Sequence, residues 1–180
     1  MFDNIYDNKK VLVTGHTGFK GSWLTTWLLK LGAEVIGISR DIPTNPSMFE
    51  ALELRNRIKH IVLDLSDLDK LSKIIHEEKP DFIFHLAAQA IVSTSYNDPV
   101  DTFLSNVVGT MNVLESLRSI DYACTAVLVT SDKCYDNVEW TWGYRETDTL
   151  GGNDIYSGSK GAAELVIKSY VHSFFNNNHP

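Results

Sequence analysis

The chain has 180 residues, of which 43% are apolar and 22% are charged, a composition typical of a globular protein with one sizeable core. Its net charge of −7 argues against nucleic acid or an anionic membrane surface as the main partner. No apolar run is long enough to span a membrane, the N-terminus lacks a signal peptide's apolar segment, and two cysteines indicate a reducing compartment. We therefore expect a single cytoplasmic domain over residues 1–180, which binds neither nucleic acid nor membranes. Residues 1–9 are polar, and we expect them to form a loose arm.

The first structural signal is a strand, a glycine-rich turn and a helix in direct succession. The apolar strand 11–13 leads into Gly15, Gly18 and Gly21, and helical periodicity begins immediately afterwards. The N-terminus of such a helix carries unpaired amide groups, and glycines let a pyrophosphate approach the backbone. An ordinary strand–helix turn is the alternative, but the flanking elements favour dinucleotide binding.

The second strand, predicted over residues 34–38, ends in Ser39, Arg40 and Asp41. An acidic residue at this place binds the ribose 2′-hydroxyl of NAD, whereas an arginine accepts the 2′-phosphate of NADP. Arg40 and Asp41 therefore point to different cofactors, and both are also compatible with solvated loop charges. The sequence leaves the choice between NAD and NADP open.

Two further strands are predicted over residues 58–63 and 81–86. Asp64, after the first of them, either hydrogen-bonds an adenine or helps to cap the helix predicted over 67–78. Small residues follow the other strand at positions 87–89, and they would let a ligand approach the backbone where open parallel sheets bind ligands. The alternation within the strand predicts that His85 is a core residue and not a catalytic one.

Asp98 and Pro99 indicate the start of a long helix that extends to about Ile120. Its apolar residues cover more than one face, so the helix is either buried on both sides or paired with a partner subunit. Asn106 lies in the middle of this apolar helix. Its side chain either hydrogen-bonds a backbone group near the active site or faces solvent.

The fifth strand, predicted over residues 126–129, leads into a polar cluster that begins at Thr130. An aromatic loop over 137–153 follows; loops of this length are usually functional or disordered, and the aromatic residues argue against disorder. Tyr156 and Lys160 come next, four residues apart on a predicted helix. There the ammonium group would stabilise a phenolate, although the same spacing also occurs in surface pairs.

Four motifs follow one another in the same order as in a known family of enzymes: TGHTGFKG (14–21), HLAAQ (85–89), TSDKCY (130–135) and YSGSK (156–160). Together they resemble the extended short-chain dehydrogenase/reductases that modify nucleotide sugars. The stretches PTNPSMFE (43–50) and WGYRETDTLGG (142–152) are similar to the branch of 4,6-dehydratases that acts on CDP-glucose. The resemblance covers essentially the whole chain.

The resemblance implies a Rossmann-type, doubly wound parallel α/β sheet that stops at Pro180, before the C-terminal substrate domain. It also implies bound NAD, with NADP still possible, and no metal. CDP-glucose would be the substrate, and a homo-oligomer would form through the helices at 99–120 and 156–175. A chain of this length would leave an apolar sheet edge uncovered.

The family's chemistry implies a role for each matching residue. Tyr156 would act as the base while the sugar is oxidised at C4, Lys160 would bind the nicotinamide ribose, and Thr130 would hydrogen-bond the C4 oxygen. Asp132 would be the acid at the C6 oxygen, and Lys133 would be the base at C5 or its electrostatic helper. The motifs and strand ends together give a cofactor site that consists of Gly15, Thr17, Gly18, Phe19, Lys20, Gly21, Ser39, Arg40, Asp64, Leu65, Leu86, Ala87, Ala88, Gln89, Asn106, Tyr156 and Lys160.

Two positions depart from the wider family. Ile155 stands where a proline usually precedes the tyrosine, and Asp132-Lys133 replaces the Asp-Glu pair of the dTDP-glucose dehydratases, as in the CDP-glucose branch. Two alternative functions remain at this stage. One is a nucleotide-sugar epimerase or reductase, which would share Tyr156 and Lys160 but does not need Asp132-Lys133. The other is a dinucleotide-binding fragment without catalytic activity.

Overall fold

The computed structural model describes residues 2–175, so Pro180, the predicted end of the domain, lies outside the described residues. Five parallel strands form one sheet in the order β3-β2-β1-β4-β5. The strands are β1 (Lys10–Thr14), β2 (Glu34–Ser39), β3 (Lys59–Val62), β4 (Phe82–His85) and β5 (Thr125–Leu128). The helices are α1 (Phe19–Lys30), α2 (Met48–Ala51), α3 (Leu68–Glu78), α4 (Val92–Asn97), α5 (Pro99–Phe103), α6 (Gly109–Arg118) and α7 (Ile155–Tyr170).

The strand order confirms the predicted doubly wound fold. The first strand pairs with β2 on one side and with β4 on the other, so the order reverses between β1 and β4. Ligands of open α/β sheets bind in the crevice beyond the carboxyl ends of the strands at such a reversal. The residues predicted to bind the cofactor or to act in catalysis either follow the carboxyl end of a strand or lie on a helix that packs on the sheet.

Helices cover both faces of the sheet. On one face α3 and α6 pack against Leu12, Ile36 and Ile83, all of which are fully buried. On the other face Leu28 of α1 packs against Val11, Val13 and Val35. Strands buried on both faces read as continuous apolar runs, which is why β1 and β2 were recognisable in the sequence.

The polar N-terminal segment packs against the sheet, contrary to the expectation of a loose arm. The Tyr6 ring lies 5.0 Å from the Phe82 ring, and the Phe2 ring lies 5.5 Å from that of Trp27. The expectation from overall polarity was wrong because two aromatic side chains are enough to hold this short segment in place.

The predicted long helix is present, with an irregular middle. Helix α5, a π-helical turn over Leu104–Val108 and α6 follow one another without a break, and the Asp98 side chain caps the start by accepting from the Asp101 amide. Helix α4, immediately before it, was not predicted. Wide π turns occur often at functional positions, and this one carries Asn106.

Strand β5 forms one edge of the described sheet. Val127 and the following Val129 are 42% and 43% exposed, so the predicted uncovered apolar edge is present. Within residues 2–175, no helix is both long enough and apolar enough to cross a membrane.

Candidate active site

The glycine turn between β1 and α1 forms an open cradle. Gly15 has φ +73°, and a Cβ there would lie 2.8 Å from the backbone of Ala87, while a Cβ at Gly21 would lie 2.1 Å from the Gly15 carbonyl oxygen. Both positions therefore require glycine. At Gly18 the nearest atom, the same carbonyl oxygen, is 3.4 Å away, and no side chain caps the helix that starts there. The cradle leaves room and free first-turn amides, next to the exposed Phe19 and Lys20, for a pyrophosphate.

A buried hydrogen-bond network joins the carboxyl ends of β1 and β4. The Thr14 hydroxyl oxygen accepts from the amides of Leu86 and Ala87, at 3.2 and 3.1 Å, and lies 2.8 Å from His85 Nδ1. His85 Nε2 lies 3.0 Å from the Thr110 hydroxyl. Burial, followed by the charge of Lys160, lowers the pKa of His85 to about 4. The prediction that His85 is a core residue is confirmed.

Thr17 and Ser39, predicted to contact the cofactor, fasten the glycine turn to the second strand. The Thr17 hydroxyl donates to the Asp41 carbonyl oxygen at 2.7 Å, and the Ser39 hydroxyl lies 3.0 Å from His16 Nδ1. His16 Nε2 in turn lies 2.7 Å from His60 Nδ1, and burial lowers the pKa of His16 to about 4. This pair of histidines was missed, because no sequence spacing indicates that residues 16 and 60 meet.

Arg40 lies in a cluster of carboxylates. Its guanidinium donates to both carboxylate oxygens of Asp101, at 2.7 and 3.0 Å, and lies 3.7 Å from Asp64. The Arg40 side chain is 40% exposed, as the solvated-charge alternative allowed, but it is also paired with carboxylates. The role of Asp101 was missed, since it comes from a helix 61 residues away in the sequence.

Asp64 folds back on the residues that follow it. Its Oδ1 accepts from the Ser66 amide at 2.9 Å, whereas the cap of α3 is Asp67, which accepts from the Lys70 amide. Asp64 therefore does not cap α3, and that alternative is wrong. The neighbouring Leu65 is buried in the core, and its predicted contact with a cofactor remains a prediction.

Asn106 connects the end of β4 to α7. Its Oδ1 accepts from the Gln89 amide at 2.8 Å, and its Nδ2 donates to the Gln89 carbonyl at 3.1 Å and to the Ser159 hydroxyl at 2.9 Å. Asn106 is 2% exposed, so the solvent-facing alternative is wrong. Leu86, Ala87 and Ala88, which precede Gln89, are partly buried at the same edge. Ser159 was not predicted as a site residue.

Tyr156 and Lys160 are each only 8% exposed, so the surface-pair alternative is wrong. The Lys160 Nζ atom lies 5.7 Å from the centre of the Tyr156 ring, and its burial lowers the pKa of the lysine. The hydrogen bonds and ion pairs among residues 2–175 do not involve this Nζ, and the only fully buried side-chain nitrogen or oxygen without a partner there is Thr25 Oγ1, so the Nζ itself is not fully buried. The Lys160 side chain is thus mostly buried while its ammonium group stays accessible, and its three N–H donors fit a cofactor that supplies hydroxyl groups at this point.

The turn after β5 presents the remaining candidate residues to solvent. Thr130, Asp132 and Lys133 are all exposed. The Ser131 hydroxyl accepts from the Lys133 amide at 3.2 Å and donates to an Asp132 carboxylate oxygen at 3.1 Å, which fixes the turn.

This turn packs against the start of α7. The Cys134 carbonyl accepts from the Gly151 amide at 2.8 Å, and a Cβ on Gly161 would lie only 3.2 Å from the same carbonyl oxygen. Hydrogen bonds from Ser157, then one from the Tyr156 amide and last the charge of Lys133, lower the pKa of Asp154, which caps α7. The turn that carries Asp132 and Lys133 therefore packs against the helix that carries Tyr156.

The aromatic loop after this turn is ordered by stacking. The rings of Tyr135 and Tyr144 lie 5.2 Å apart and nearly parallel, and Trp140 packs on Tyr144 at 5.6 Å. In the part of the chain that the structure describes, no group of three or more His, Cys, Asp or Glu side chains is arranged to hold a metal ion.

The chain is similar to known nucleotide-sugar enzymes. The chain is 49% identical over 173 residues to the CDP-glucose 4,6-dehydratase of Salmonella typhimurium, a match that covers 96% of this chain and 48% of that protein. It is 29% identical to the CDP-paratose 2-epimerase of Salmonella typhi, over 92% of this chain and 54% of the relative. The chain thus spans about half the length of the curated relatives it matches.

Solved structures show the same fold. The UDP-glucose 4-epimerase of Thermus thermophilus in complex with NAD has a TM-score of 0.78 and 29% identity, over 92% of this chain and 52% of that one. The UDP-glucuronic acid 4-epimerase of Bacillus cereus, in complex with UDP-glucuronic acid and NAD, has a TM-score of 0.79 and 29% identity, over 92% and 53%. The family model described as GDP-mannose 4,6 dehydratase matches residues 12–176, and the chain therefore belongs to that family of nucleotide-sugar enzymes.

Proposed function

We propose that this chain supplies the cofactor site and the catalytic side chains of a CDP-glucose 4,6-dehydratase. The observation that supports this most is the placement of Tyr156 and the unpartnered ammonium of Lys160 beside the exposed turn that carries Asp132 and Lys133. The Asp-Lys pair argues for a dehydratase over an epimerase, because only the dehydratase must remove water. The 49% identical relative carries the name of that activity.

NAD, which two similar structures contain, fits the open glycine cradle and Lys160, and when bound it supplies reversible hydride acceptance. The first-turn amides of α1 would hold its pyrophosphate, and Lys160 would hydrogen-bond a ribose hydroxyl. Ser39 and Thr17 would act through the turn they fasten, since their hydroxyl groups already bond to protein atoms.

The proton transfers are then assigned to side chains of this chain. The Tyr156 phenolate takes the proton of the C4 hydroxyl, and the Lys160 ammonium stabilises that phenolate through space. Thr130 positions the C4 oxygen. The C4 ketone acidifies the C5 proton, which Lys133 removes in its neutral form, and Asp132 protonates the departing C6 hydroxyl, so that water leaves.

Self-association through the helices at 99–120 and 156–175 belongs to the same proposal. Three apolar residues of the first helix are exposed at its outer side: Val100 by 68%, Phe103 by 38% and Leu104 by 43%. Leu165 of α7 is 54% exposed. A second copy would cover these side chains. We also assign the protein to the cytoplasm, because both of its cysteines, Cys124 and Cys134, are free thiols.

The test compares Tyr156→Phe with Lys133→Ala, in a polypeptide that also carries the second half of the relatives. Each loss of a general acid or base slows its own step by about two to four powers of ten. Tyr156→Phe should leave CDP-glucose unchanged. Lys133→Ala should still form the 4-keto sugar, which is two hydrogens lighter, and stall before water is lost. Rapid quenching and mass spectrometry separate these species.

Lys73→Ala, an exposed lysine on α3, is the matched control and should dehydrate CDP-glucose at the wild-type rate. If Lys133→Ala also did so, Lys133 would be only a surface charge and the dehydratase assignment would lose its support.

A further inference from the structure

The charges at the carboxyl end of β2 form one cluster that the proposed catalytic steps do not use. The Arg40 guanidinium binds Asp101 with two nitrogens, and it lies 3.5 Å from Asp41 and 3.7 Å from Asp64. The Ser105 hydroxyl is 3.4 Å from the same guanidinium. One cation thus faces three carboxylates, and the cluster carries net negative charge.

The pairing of Arg40 with Asp101 has the planar two-bond geometry that makes arginine–carboxylate contacts strong. Asp101 is held in place by its helix, since its own amide donates to the Asp98 side chain at 3.1 Å. The side-chain hydrogen bond to Asp101, together with the neighbouring carboxylates, holds the pKa of Arg40 well above its usual range. The guanidinium donors are therefore directed at protein oxygens.

This position in the fold decides between the two nicotinamide dinucleotides. A ribose 2′-phosphate needs free cationic donors, whereas a 2′-hydroxyl can donate to a carboxylate. Here the only arginine at the end of β2 already binds Asp101, and a phosphate would also meet the negative charges of Asp41 and Asp64. An exchange of Asp101 for a neutral side chain would release Arg40 from the two-bond ion pair and remove the third negative charge of the cluster.

We propose that Asp101 is a specificity-determining residue, which makes the site select NAD and reject NADP by holding Arg40 in a two-bond ion pair. The inference rests on the proposed function only in that it needs a dinucleotide in the glycine cradle. It concerns no catalytic step, and it can therefore be tested by binding alone.

The experiment measures the dissociation constants of NAD and NADP by isothermal titration calorimetry, at one fixed salt concentration. The wild-type chain should bind NAD at least about 100-fold more tightly than NADP. Asp101→Asn, which keeps the shape of the side chain, should tighten NADP binding by about 10- to 100-fold and change NAD binding by less than about threefold. Asp101→Asn combined with Arg40→Gln should lose that gain, because the freed donor is gone.

Two further variants serve as controls. Asp121→Asn removes one negative charge beyond the far end of α6 and should leave the NAD-to-NADP ratio unchanged, which controls for net charge. Arg40→Gln alone should alter NADP binding by less than about threefold, since Arg40 is not available to a phosphate in the wild type. This second variant tests the proposal even if Asp101→Asn does not fold.

The outcomes separate this inference from the proposed function. Equal affinity for NAD and NADP in the wild type, or an unchanged ratio in Asp101→Asn, overturns the role of Asp101 and leaves the cofactor site intact. A loss of NADP affinity above tenfold in Arg40→Gln overturns it as well, because Arg40 would then be free to bind phosphate. If neither dinucleotide binds to any folded variant, the proposed cofactor site fails and this inference fails with it.

Discussion

Gly18 is the position in the glycine turn where binding can be damaged without damage to the fold. Its φ of −71° and ψ of 167° suit any residue, and an added Cβ would meet only the Gly15 carbonyl oxygen, at 3.4 Å. Replacement of glycine by alanine at such a position typically stabilises a protein by about 0.4–1 kcal/mol. We therefore expect Gly18→Ala to unfold at the wild-type urea concentration or slightly above it.

Binding of NAD should respond in the opposite direction. A methyl group at Gly18 would occupy the space through which a phosphate approaches the first-turn amides of α1. The loss of one hydrogen bond to a charged group costs about 1.5–3 kcal/mol, so the dissociation constant for NAD should rise by about 10- to 150-fold. Isothermal titration calorimetry on the folded variant measures this rise directly.

Two other glycines give the controls. Gly143→Ala places its methyl group where no atom lies within 4 Å, so it should leave NAD affinity unchanged and stability unchanged or slightly raised. Gly21→Ala forces a Cβ to 2.1 Å from the Gly15 carbonyl oxygen and should destabilise the fold itself. Wild-type NAD affinity in Gly18→Ala would refute the assignment of this turn as the pyrophosphate site.

Two more properties can be checked in solution. The pKa values of His16 and His85 are lowered to about 4 by burial, so both are neutral in the folded protein, whereas in the unfolded chain they bind protons below about pH 6.5. Stability should therefore fall as the pH drops through 6.5, by about 2 kcal/mol per histidine between pH 7 and pH 5. In urea titrations His16→Gln should reduce this loss of stability by the part that His16 contributes, about 2 kcal/mol. An unchanged loss would contradict a lowered pKa of His16 in the folded protein. For self-association, Leu104→Glu should convert a sedimenting dimer to a monomer, whereas Glu substituted at the exposed Val62 of β3 should not.

The sequence was sufficient to predict the sheet because its strands are buried on both faces. Short runs rich in β-branched residues, such as 11–13 and 35–38, are typical of strands that a parallel sheet buries on both faces, and the adjoining glycine turns make a helix the weaker reading. The crossover rules then leave few possible strand orders. Tyr156 and Lys160 were identified by a local rule as well, since a four-residue spacing on a helix places both side chains on one face.

Contacts between distant segments were not predictable in this way. Asp98 and Pro99 indicated where the helix starts, but nothing in the residues around Asp101 indicates that it meets Arg40 across the end of the sheet. The His16–His60 contact was missed for the same reason. Asn106 was partly predictable. Its polarity on an apolar helix marked it as unusual, but its three side-chain hydrogen bonds, to Gln89 and Ser159, depend on how the π turn positions it.

The strand order separates the residue proposed to select the cofactor from the residue proposed to remove the C5 proton. Arg40 follows β2 and Lys133 follows β5, and these strands are three positions apart in the sheet, which corresponds to about 14 Å at the usual spacing between neighbouring strands. The two residues share no hydrogen-bond partner among the described contacts of residues 2–175. Substitutions that far apart usually have additive free-energy effects. Asp101→Asn should therefore change which dinucleotide is bound without changing the step that Lys133→Ala blocks, and the double variant should show the two single effects unchanged.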